Sequence, residues 1–204
     1  MTTIRSATTA DVGRIHEIMN VPPGPERLAL VGDEEAAVKF GWQLLELQEI
    51  PNDERPTFVA EDGARVVGFI QYTRGPLDDK ITFGQLKAAV TVRGPVEFVR
   101  GIPRLRAMRR VNIPTPKDAF YIAELHVDSE LRGKGIGGEL LDFADDEARR
   151  TGYRHLALHT HSQNRARALY ERHGFQVTRV REDRKYERYT GIRGRVLMEK
   201  WLVT

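Results

Sequence analysis

The sequence predicts an α/β fold, in which helices cover both faces of one sheet. Short runs of apolar and β-branched residues alternate along the chain with stretches whose apolar residues recur at helical spacing. The chain has 204 residues, of which 40% are hydrophobic and 30% charged, as in globular proteins of one domain. We therefore expect a single domain over residues 1–204, with residues 77–118 as an inserted helical segment.

The N-terminal third predicts strand, helix, helix and hairpin in that order. Residues 2–7 have the composition of a short strand, and Thr8 then provides a cap for a first helix. A second amphipathic helix is predicted over about residues 33–49. Residues 57–60 and 66–72 predict a hairpin. The apolar residues at helical spacing are Val12, Ile15, Ile18 and Met19 in the first helix, and Ala37, Phe40, Leu44 and Leu47 in the second. Between the helices, the proline- and glycine-rich residues 21–25 predict a break.

Residues 77–118 contain two helical patterns, at 81–92 and 96–110, which Gly94 and Pro95 separate. Basic residues outnumber acidic ones there. Two interpretations remain open, a solvated surface insertion and a lid or wall over a binding cleft. The bases are Lys80, Lys87, Arg93, Arg100, Arg104, Arg106, Arg109, Arg110 and Lys117, and the acids are Asp78, Asp79, Glu97 and Asp118.

The last part of the chain alternates regularly between strands and helices. An apolar strand is predicted over residues 119–127, and a glycine-rich loop then leads into a helix. The apolar residues of that helix are Ile136, Leu140, Leu141, Phe143 and Ala144. The later elements are predicted as strands at 153–160, 175–180 and 195–202, and as a short helix at 163–172.

Composition narrows the functional classes. The net charge of +3, from 32 basic and 29 acidic residues, favours an anionic ligand without requiring nucleic acid. The absence of cysteine excludes disulfides and thiolate catalysis. Residues 1–11 lack the apolar core of a signal peptide, and no stretch is long and apolar enough for a membrane helix, so we expect a cytoplasmic protein without membrane contact.

The glycine-rich loop between residues 125 and 138 is the strongest candidate for a ligand site. Glycines let the backbone approach a ligand closely, and the free N–H groups of a first helical turn attract anions such as a diphosphate. The loop is not a Walker A motif, because Gly135 rather than Ser or Thr follows Lys134. It also lacks the glycine spacing and the opening βαβ unit of a dinucleotide-binding fold. A structural turn remains the alternative.

The loop at residues 132–137 and the segment at residues 166–175 carry two motifs that resemble those of the Gcn5-related N-acetyltransferase (GNAT) superfamily. Arg132-Gly-Lys-Gly135-Ile-Gly137 matches the pattern Gln/Arg-x-x-Gly-x-Gly/Ala. Ala166-Arg-Ala-Leu169-Tyr170-Glu-Arg-His-Gly174-Phe175 resembles the second motif, Asn-x-x-Ala-x-x-Leu-Tyr-x-x-x-Gly-Phe. The resemblance is strongest over residues 119–180, fair over 1–72 and poor over 77–118. It implies a mixed, mostly antiparallel sheet with the helical insertion between the third and fourth strands, and acetyl-CoA as cosubstrate without a metal.

The resemblance also implies cofactor-binding residues. The backbone amides of Arg132, Gly133, Lys134, Gly135, Ile136 and Gly137 are expected to bind the pyrophosphate. In relatives the fourth strand splays from the fifth at a bulge, which here places His126 and Val127 beside the pantetheine arm. The asparagine of the second motif falls on Gln163, and Asn164 is its neighbour, so either side-chain amide is a candidate.

Tyr170 and Glu124 are the predicted catalytic residues. Tyr170 occupies a position at which relatives often place the tyrosine that protonates the thiolate, and a packed aromatic is the alternative. Glu124 lies in an otherwise apolar strand, where a carboxylate is costly unless it is paired or functional. Burial would make it a stronger base for the amine, and it shares a strand face with His126. The alternative for Glu124 is a salt bridge to an Arg or Lys.

Histidines are further candidates for catalysis or for substrate binding. His159 and His161 alternate along the predicted fifth strand, so they could act as base, bind substrate or lie at a solvated strand end. A metal is not favoured, because no clear carboxylate partner accompanies them. His16, His155 and His173 are expected at the surface or at helix ends.

The function that these residues predict is transfer of an acetyl group from acetyl-CoA to a primary amine, by direct attack in a ternary complex. The acceptor, a small molecule or a peptide, is expected to contact residues 21–31 and the insertion. A non-catalytic acyl-CoA sensor is the alternative, in which Tyr170 and Glu124 would have no function. A nucleic-acid-binding module is a weaker rival, because the bases of the insertion are diluted by apolar residues. Many relatives dimerise, so a homodimer is a further expectation.

Overall fold

A seven-stranded mixed sheet forms the centre of the protein, with strand order β1-β2-β3-β4-β5-β7-β6. The computed structural model describes residues 2–20, 22–46, 50, 52–76 and 83–203. Strands β4 and β5 are parallel, whereas the other five neighbouring pairs are antiparallel. The predicted mixed, mostly antiparallel sheet is therefore confirmed. The strands are β1 (Thr3–Ser6), β2 (Thr57–Asp62), β3 (Arg65–Arg74), β4 (Phe120–Val127), β5 (His155–His161), β6 (Gln176–Glu182) and β7 (Gly194–Trp201).

Helices cover both faces of this sheet, as predicted. One face packs against α5, whose buried Leu140, Leu141 and Ala144 join β-strand residues in the largest apolar cluster. On the other face, Ile15 of α1 and Leu45 of α3 pack against strands β2 and β3. The helices are α1 (Val12–Asn20), α2 (Pro25–Val31), α3 (Glu34–Glu46), α4 (Phe83–Arg110), α5 (Ile136–Arg150), α6 (Arg167–Arg172) and α7 (Arg184–Thr190). No helix of the described residues combines the length and apolarity needed to cross a membrane.

The predicted insertion between the third and fourth strands is the kinked helix α4. Its two helical stretches meet at Gly94, whose φ of 77° and ψ of 162° are open to glycine alone, so the predicted separation at Gly94-Pro95 is confirmed. The helix contacts α2, α3 and α7. The insertion therefore belongs to the layer of helices that packs around α2 and α3. Residues 77–82, including the predicted Asp78, Asp79, Lys80 and Ile81, lie outside the described residues.

Two short helices, α2 and α7, were not predicted. Pro25 suggested a chain break, but it occupies the first turn of α2, where its missing N–H costs nothing and its φ suits the helix. Asp183 caps the start of helix α7, and its carboxylate accepts hydrogen bonds from the amides of Lys185 at 2.8 Å and Tyr186 at 3.1 Å. Val21, in the segment predicted to contact the acceptor, and Leu47, on the apolar face of the second predicted helix, lie outside the described residues.

Strand β4 carries a bulge at the point where it separates from β5. The two strands pair only over Phe120–Ile122 and Leu156–Leu158. Opposite β3, Ile122 pairs with Tyr72 and Glu124 with Gln71, which leaves Ala123 as an extra residue. An extra residue reverses the faces of all that follow it. The separation of these strands, which the family resemblance implied, is thus a feature of this fold.

The bulge decides which side chains of β4 point into the core. Phe120 and Ile122 before the bulge are in the apolar cluster on the α5 face, and Leu125 and Val127 after it pack against the same cluster. Without the bulge, Glu124 and His126 would share the face of Ile122. Because of it they lie on the opposite face, where the His126 ring stacks on Phe69 with 5.2 Å between ring centroids.

Candidate active site

A cleft of about 610 Å³ opens where β4 and β5 separate. Helices α1, α2 and α3 line one side, the two strands form its floor, and Met108 of the insertion closes part of it. The insertion therefore contributes to a cleft wall, which is one of its two predicted roles. The polar side chains that line the cleft are Glu26, Arg27, Tyr121, Glu124, His126, His159, Thr160, His161, Asn164, Tyr170 and Arg195.

Glu124 and His126 form a hydrogen-bonded pair that faces this cleft. The Oε2 atom of Glu124 lies 2.8 Å from Nε2 of His126. The side chains are 41% and 31% exposed, so Glu124 is not buried in the core. The bulge at Ala123 is the physical reason, because it turns the carboxylate away from the core and into the cleft. The partner is a neighbouring imidazole, and not the Arg or Lys of the alternative prediction.

Tyr170 reaches the same cleft from α6. Its side chain is 7% exposed and packs edge-on against Phe175, with 6.2 Å between ring centroids. Burial, together with the charge of Glu124, raises the pKa of Tyr170 to about 12. The hydroxyl therefore keeps its proton at neutral pH. Tyr170 is both a packed aromatic and a cleft residue, so the two predicted interpretations are compatible.

The loop of residues 132–137 has the backbone of an anion site. Gly133 and Gly135 have φ values of 81° and 91°, in the left-handed region that favours glycine. Ile136 is buried and begins α5. In the described part of the chain, the backbone N–H groups of residues 132–137 donate no hydrogen bond. Arg132 and Lys134 are exposed beside these amides, so the loop fits a diphosphate.

The loop borders the cleft and does not line it. Among the predicted cofactor residues, His126 and Asn164 line the cleft, whereas Val127 packs toward the α5 cluster. A Cβ at position 137 would lie 2.9 Å from Cδ2 of Leu169, so this side chain would have to move to accommodate it. The tight contact joins the loop to α6, the helix that carries Tyr170.

The side-chain amides of Gln163 and Asn164, the two candidates for cofactor binding, lie in different places. Gln163 is exposed, outside the cleft, and its Oε1 accepts a hydrogen bond from the Arg193 amide at 3.3 Å. Asn164 lines the cleft. Its Nδ2 donates to Oγ1 of Thr160 at 2.7 Å, and its Oδ1 accepts from the amide of Ala166 at 2.9 Å. Asn164 is thus held beside the end of β5, whereas Gln163 is not brought to the cleft.

The two histidines of β5 line the cleft and have protein neighbours. Nδ1 of His159 lies 2.9 Å from the hydroxyl of Tyr121. Burial lowers the pKa of His161, against the charge of Glu26, so this imidazole is neutral at pH 7. The solvated strand end is therefore not what the structure shows. The described residues contain no group of three or more His, Cys, Asp or Glu side chains that could hold a metal.

A half-buried ion pair between α2 and β7 was missed in the sequence. The carboxylate of Glu26 accepts two hydrogen bonds from Arg195, both at 2.7 Å, and a third from the hydroxyl of Tyr186. Burial opposes ionisation of Glu26, but these donors outweigh it and lower the pKa of its carboxyl. The pair ties α2 to β7 and fixes one wall of the cleft. Only the position of Glu26 within the predicted acceptor segment, 21–31, hinted at it.

Comparisons with known proteins agree with this architecture. The model of the acetyltransferase (GNAT) family matches residues 26–175 of the 204-residue chain, more than half of it. The uncharacterized N-acetyltransferase YycN of Bacillus subtilis (strain 168) is 39% identical over 66 residues, which cover 32% of this chain and 42% of YycN. The match thus spans less than half the length of that relative.

Solved structures share the fold over nearly the whole chain. A structure described as histone acetyltransferase HPA2 and related acetyltransferase, from Corynebacterium glutamicum ATCC 13032, has a TM-score of 0.65 and 21% identity, and covers 100% of this chain and 97% of its own. The PaiA N-acetyltransferase of Thermoplasma acidophilum, solved in complex with coenzyme A, has a TM-score of 0.57 and 17% identity, with 98% and 99% covered. At these identities the likeness concerns the fold.

Proposed function

We propose that this chain, which belongs to the acetyltransferase (GNAT) family, is an N-acetyltransferase that moves an acetyl group from acetyl-CoA to a primary amine. The observation that carries the proposal is the meeting of three groups in one cleft. Glu124 and His126 face it from β4, beyond the last residue that pairs with β5, and Tyr170 faces it from α6. The amine attacks directly, within a ternary complex.

Acetyl-CoA would supply the acyl group and a thiolate leaving group. The free amides of residues 132–137 bind its pyrophosphate, because unpaired N–H groups at a helix start favour anions. Beyond Ile122 the backbone of β4 no longer pairs with β5, so it is available to the pantetheine arm, with Asn164 beside it. The backbone amides of β4 beyond Ile122 also stabilise the negative charge that develops on the carbonyl oxygen of the acetyl group.

The proton transfers follow from the positions of the side chains. The Glu124–His126 pair accepts a proton from the attacking amine, since imidazole and carboxylate are the common general bases. A new C–N bond forms as the C–S bond breaks. Tyr170 donates its proton to the departing sulfur and regains one from solvent, so that an amide and a free thiol leave the site.

The proposal is tested first by binding. Calorimetric titration of the purified protein with acetyl-CoA should give micromolar affinity. Lys134→Glu, which reverses an exposed charge in the loop, should weaken binding about 10-fold or more. Lys185→Glu makes the same change of net charge on α7 and should leave the affinity unchanged. Absence of binding by the folded wild type at millimolar acetyl-CoA would refute the proposal.

Turnover is tested second. A panel of amines with acetyl-CoA should release free thiol in stoichiometric amounts with the N-acetylated amine. Binding without thiol release for any amine would instead support the non-catalytic acyl-CoA sensor.

A further inference from the structure

Arg27 is a charged residue of the cleft for which the described residues provide no counter-ion. It lies on α2 and is partly buried. The described part of the chain places no carboxylate within 4.0 Å of its guanidinium and no hydrogen-bond acceptor on it. Burial lowers the pKa of this guanidinium, and the charge of Glu124 opposes that effect from a distance. A guanidinium in such a place is costly unless an anion accompanies it.

The two carboxylates of the cleft are bonded to other side chains. Glu26 is bonded twice to Arg195, and Glu124 is bonded to His126. Neither acid lies within 4.0 Å of the Arg27 guanidinium. Among the residues that the structure describes, Arg27 on α2 is thus left without a carboxylate within 4.0 Å.

The surroundings of Arg27 also leave polar groups unmatched. Asn20, at the end of α1, is 0% exposed, and among the described residues neither its Nδ2 nor its Oδ1 has a hydrogen-bond partner. A Cβ on Gly41 of α3 would lie 2.5 Å from Oδ1 of Asn20 and 3.1 Å from Nη1 of Arg27. Glycine inside a helix is destabilising, so its presence at 41 is explained by the room that it leaves for these two side chains.

We propose that Arg27 binds a carboxylate of the acceptor, so that the acceptor is an amine that also carries a carboxylate, such as an amino acid. This inference rests on the proposed acetyl transfer and specifies its substrate class. A guanidinium matches a carboxylate through two parallel hydrogen bonds. With the carboxylate on Arg27, the amine of the same molecule points across the cleft to the Glu124–His126 pair. The apolar side chains of Leu30, Phe40 and Leu44 then face the remainder of the acceptor.

The test compares matched acceptors. Each L-amino acid is assayed with its carboxamide and its decarboxylated amine, at saturating acetyl-CoA. The wild type should acetylate at least one amino acid with a kcat/KM about 10-fold or more above that of its amide. Arg27→Gln should lower kcat/KM for that acid about 10- to 100-fold, mainly by raising KM, and should change kcat/KM for the amide less than about 3-fold. Arg188→Gln, an exposed position on α7, is the control and should change neither.

Two further measurements distinguish a failure of the carboxylate inference from a failure of the proposed acetyl transfer. N-acetylated amino acids, the expected products, should bind the wild type more tightly than their amides in calorimetry, and Arg27→Gln should remove the difference. Gly41→Ala, which crowds Arg27 without changing its charge, should raise KM for the acid selectively. Equal use of acids and amides by the wild type, or an equal loss for both in Arg27→Gln, refutes the carboxylate inference. If the wild type and Arg27→Gln still bind acetyl-CoA when the carboxylate inference fails, the proposed acetyl transfer is not refuted.

Discussion

At the scale of single residues, the hydroxyl of Tyr170 lies at the end of a mostly buried side chain that faces the cleft. The raised pKa of about 12 means that this group carries its proton over the whole physiological range. Such a hydroxyl suits protonation of a leaving thiolate. Phenylalanine would fill the same space against Phe175, so this position separates chemistry from packing.

We expect Tyr170→Phe to lower kcat about 100-fold or more, because general acids contribute roughly that much. Acetyl-CoA affinity should stay within about 3-fold of the wild type, since no part of the loop changes. Steady-state kinetics and calorimetry measure the two effects. Tyr153→Phe, at the edge of the same apolar cluster, is the control and should retain full activity. A Tyr170→Phe protein with wild-type kcat would show that this hydroxyl has only a packing role.

Glu124 is the second residue whose role can be isolated. Glutamine keeps its size and its contact with His126 but cannot accept a proton. Glu124→Gln should therefore lower kcat/KM for the amine about 100-fold, with acetyl-CoA affinity unchanged. Glu182→Gln, an exposed position on β6, provides the matched control in the same assay. If both variants were equally active, the base would have to be sought among His126, His159 and bound water.

Other residues show where residue-level reasoning was wrong. His16 and His155 were expected at the surface or at helix ends, yet both are buried. His16 stacks on Trp42 with 3.9 Å between ring centroids. His155 bonds to Glu199 at 2.9 Å and stacks on Trp201. In each case a tryptophan distant in sequence stacks on the imidazole, and no local pattern specifies that contact.

At the scale of elements, the two ends of α5 offer a matched comparison. Gly135 precedes the helix with a φ of 91°, and Gly152 follows it with a φ of 83°. An added Cβ would meet no atom within 4 Å at either position. Any effect of alanine at these sites therefore comes from the left-handed backbone, and not from a clash.

We expect Gly135→Ala and Gly152→Ala to lower the free energy of unfolding by similar amounts, about 1–2 kcal/mol each. Only Gly135→Ala should weaken acetyl-CoA binding, because a changed backbone at 135 moves the amides of the proposed pyrophosphate site. Urea unfolding and calorimetry provide the two values. Equal affinities for acetyl-CoA in the two variants would place the pyrophosphate elsewhere.

At the scale of the whole molecule, buried tyrosines should govern stability at alkaline pH. Burial, with the charge of Glu147, raises the pKa of Tyr72 to about 12, and burial with Glu124 does the same for Tyr170. Burial also raises the pKa of Tyr186. In the unfolded chain a tyrosine has a pKa of about 10. The folded protein therefore holds more protons than the unfolded one between these values, and its stability falls as pH rises from about 10 to 12.

We expect the urea midpoint to be nearly constant from pH 7 to 9 and then to fall steeply up to pH 11.5. Each of Tyr72 and Tyr170 should account for roughly 2–3 kcal/mol at full deprotonation. Unfolding curves of the wild type and of Tyr170→Phe, measured at the same series of pH values, isolate one contribution. A wild type and variant that lose stability in parallel above pH 10 would contradict this assignment.

Local chemistry by itself determined much of this protein. Strand and helix periods identified most of the elements, the glycines at 133 and 135 marked the loop, and the spacing between the two motifs indicated the family. Each of these features depends on neighbours within a few residues, so sequence patterns carry it. The kink of α4 at Gly94 belongs with them, since it depends on one backbone conformation.

Tertiary structure decided how the site is arranged. The bulge at Ala123 turned Glu124 into the cleft, and the ion pair of Glu26 with Arg195 brought α2, and with it Arg27, to the opposite wall. These features depend on strand register and on contacts between residues far apart in sequence. A one-residue change in register reverses every later side chain of a strand, and nothing local to residues 119–127 fixes that register. The sequence therefore determined the type of site, whereas the packing of distant elements determined which charges meet in it.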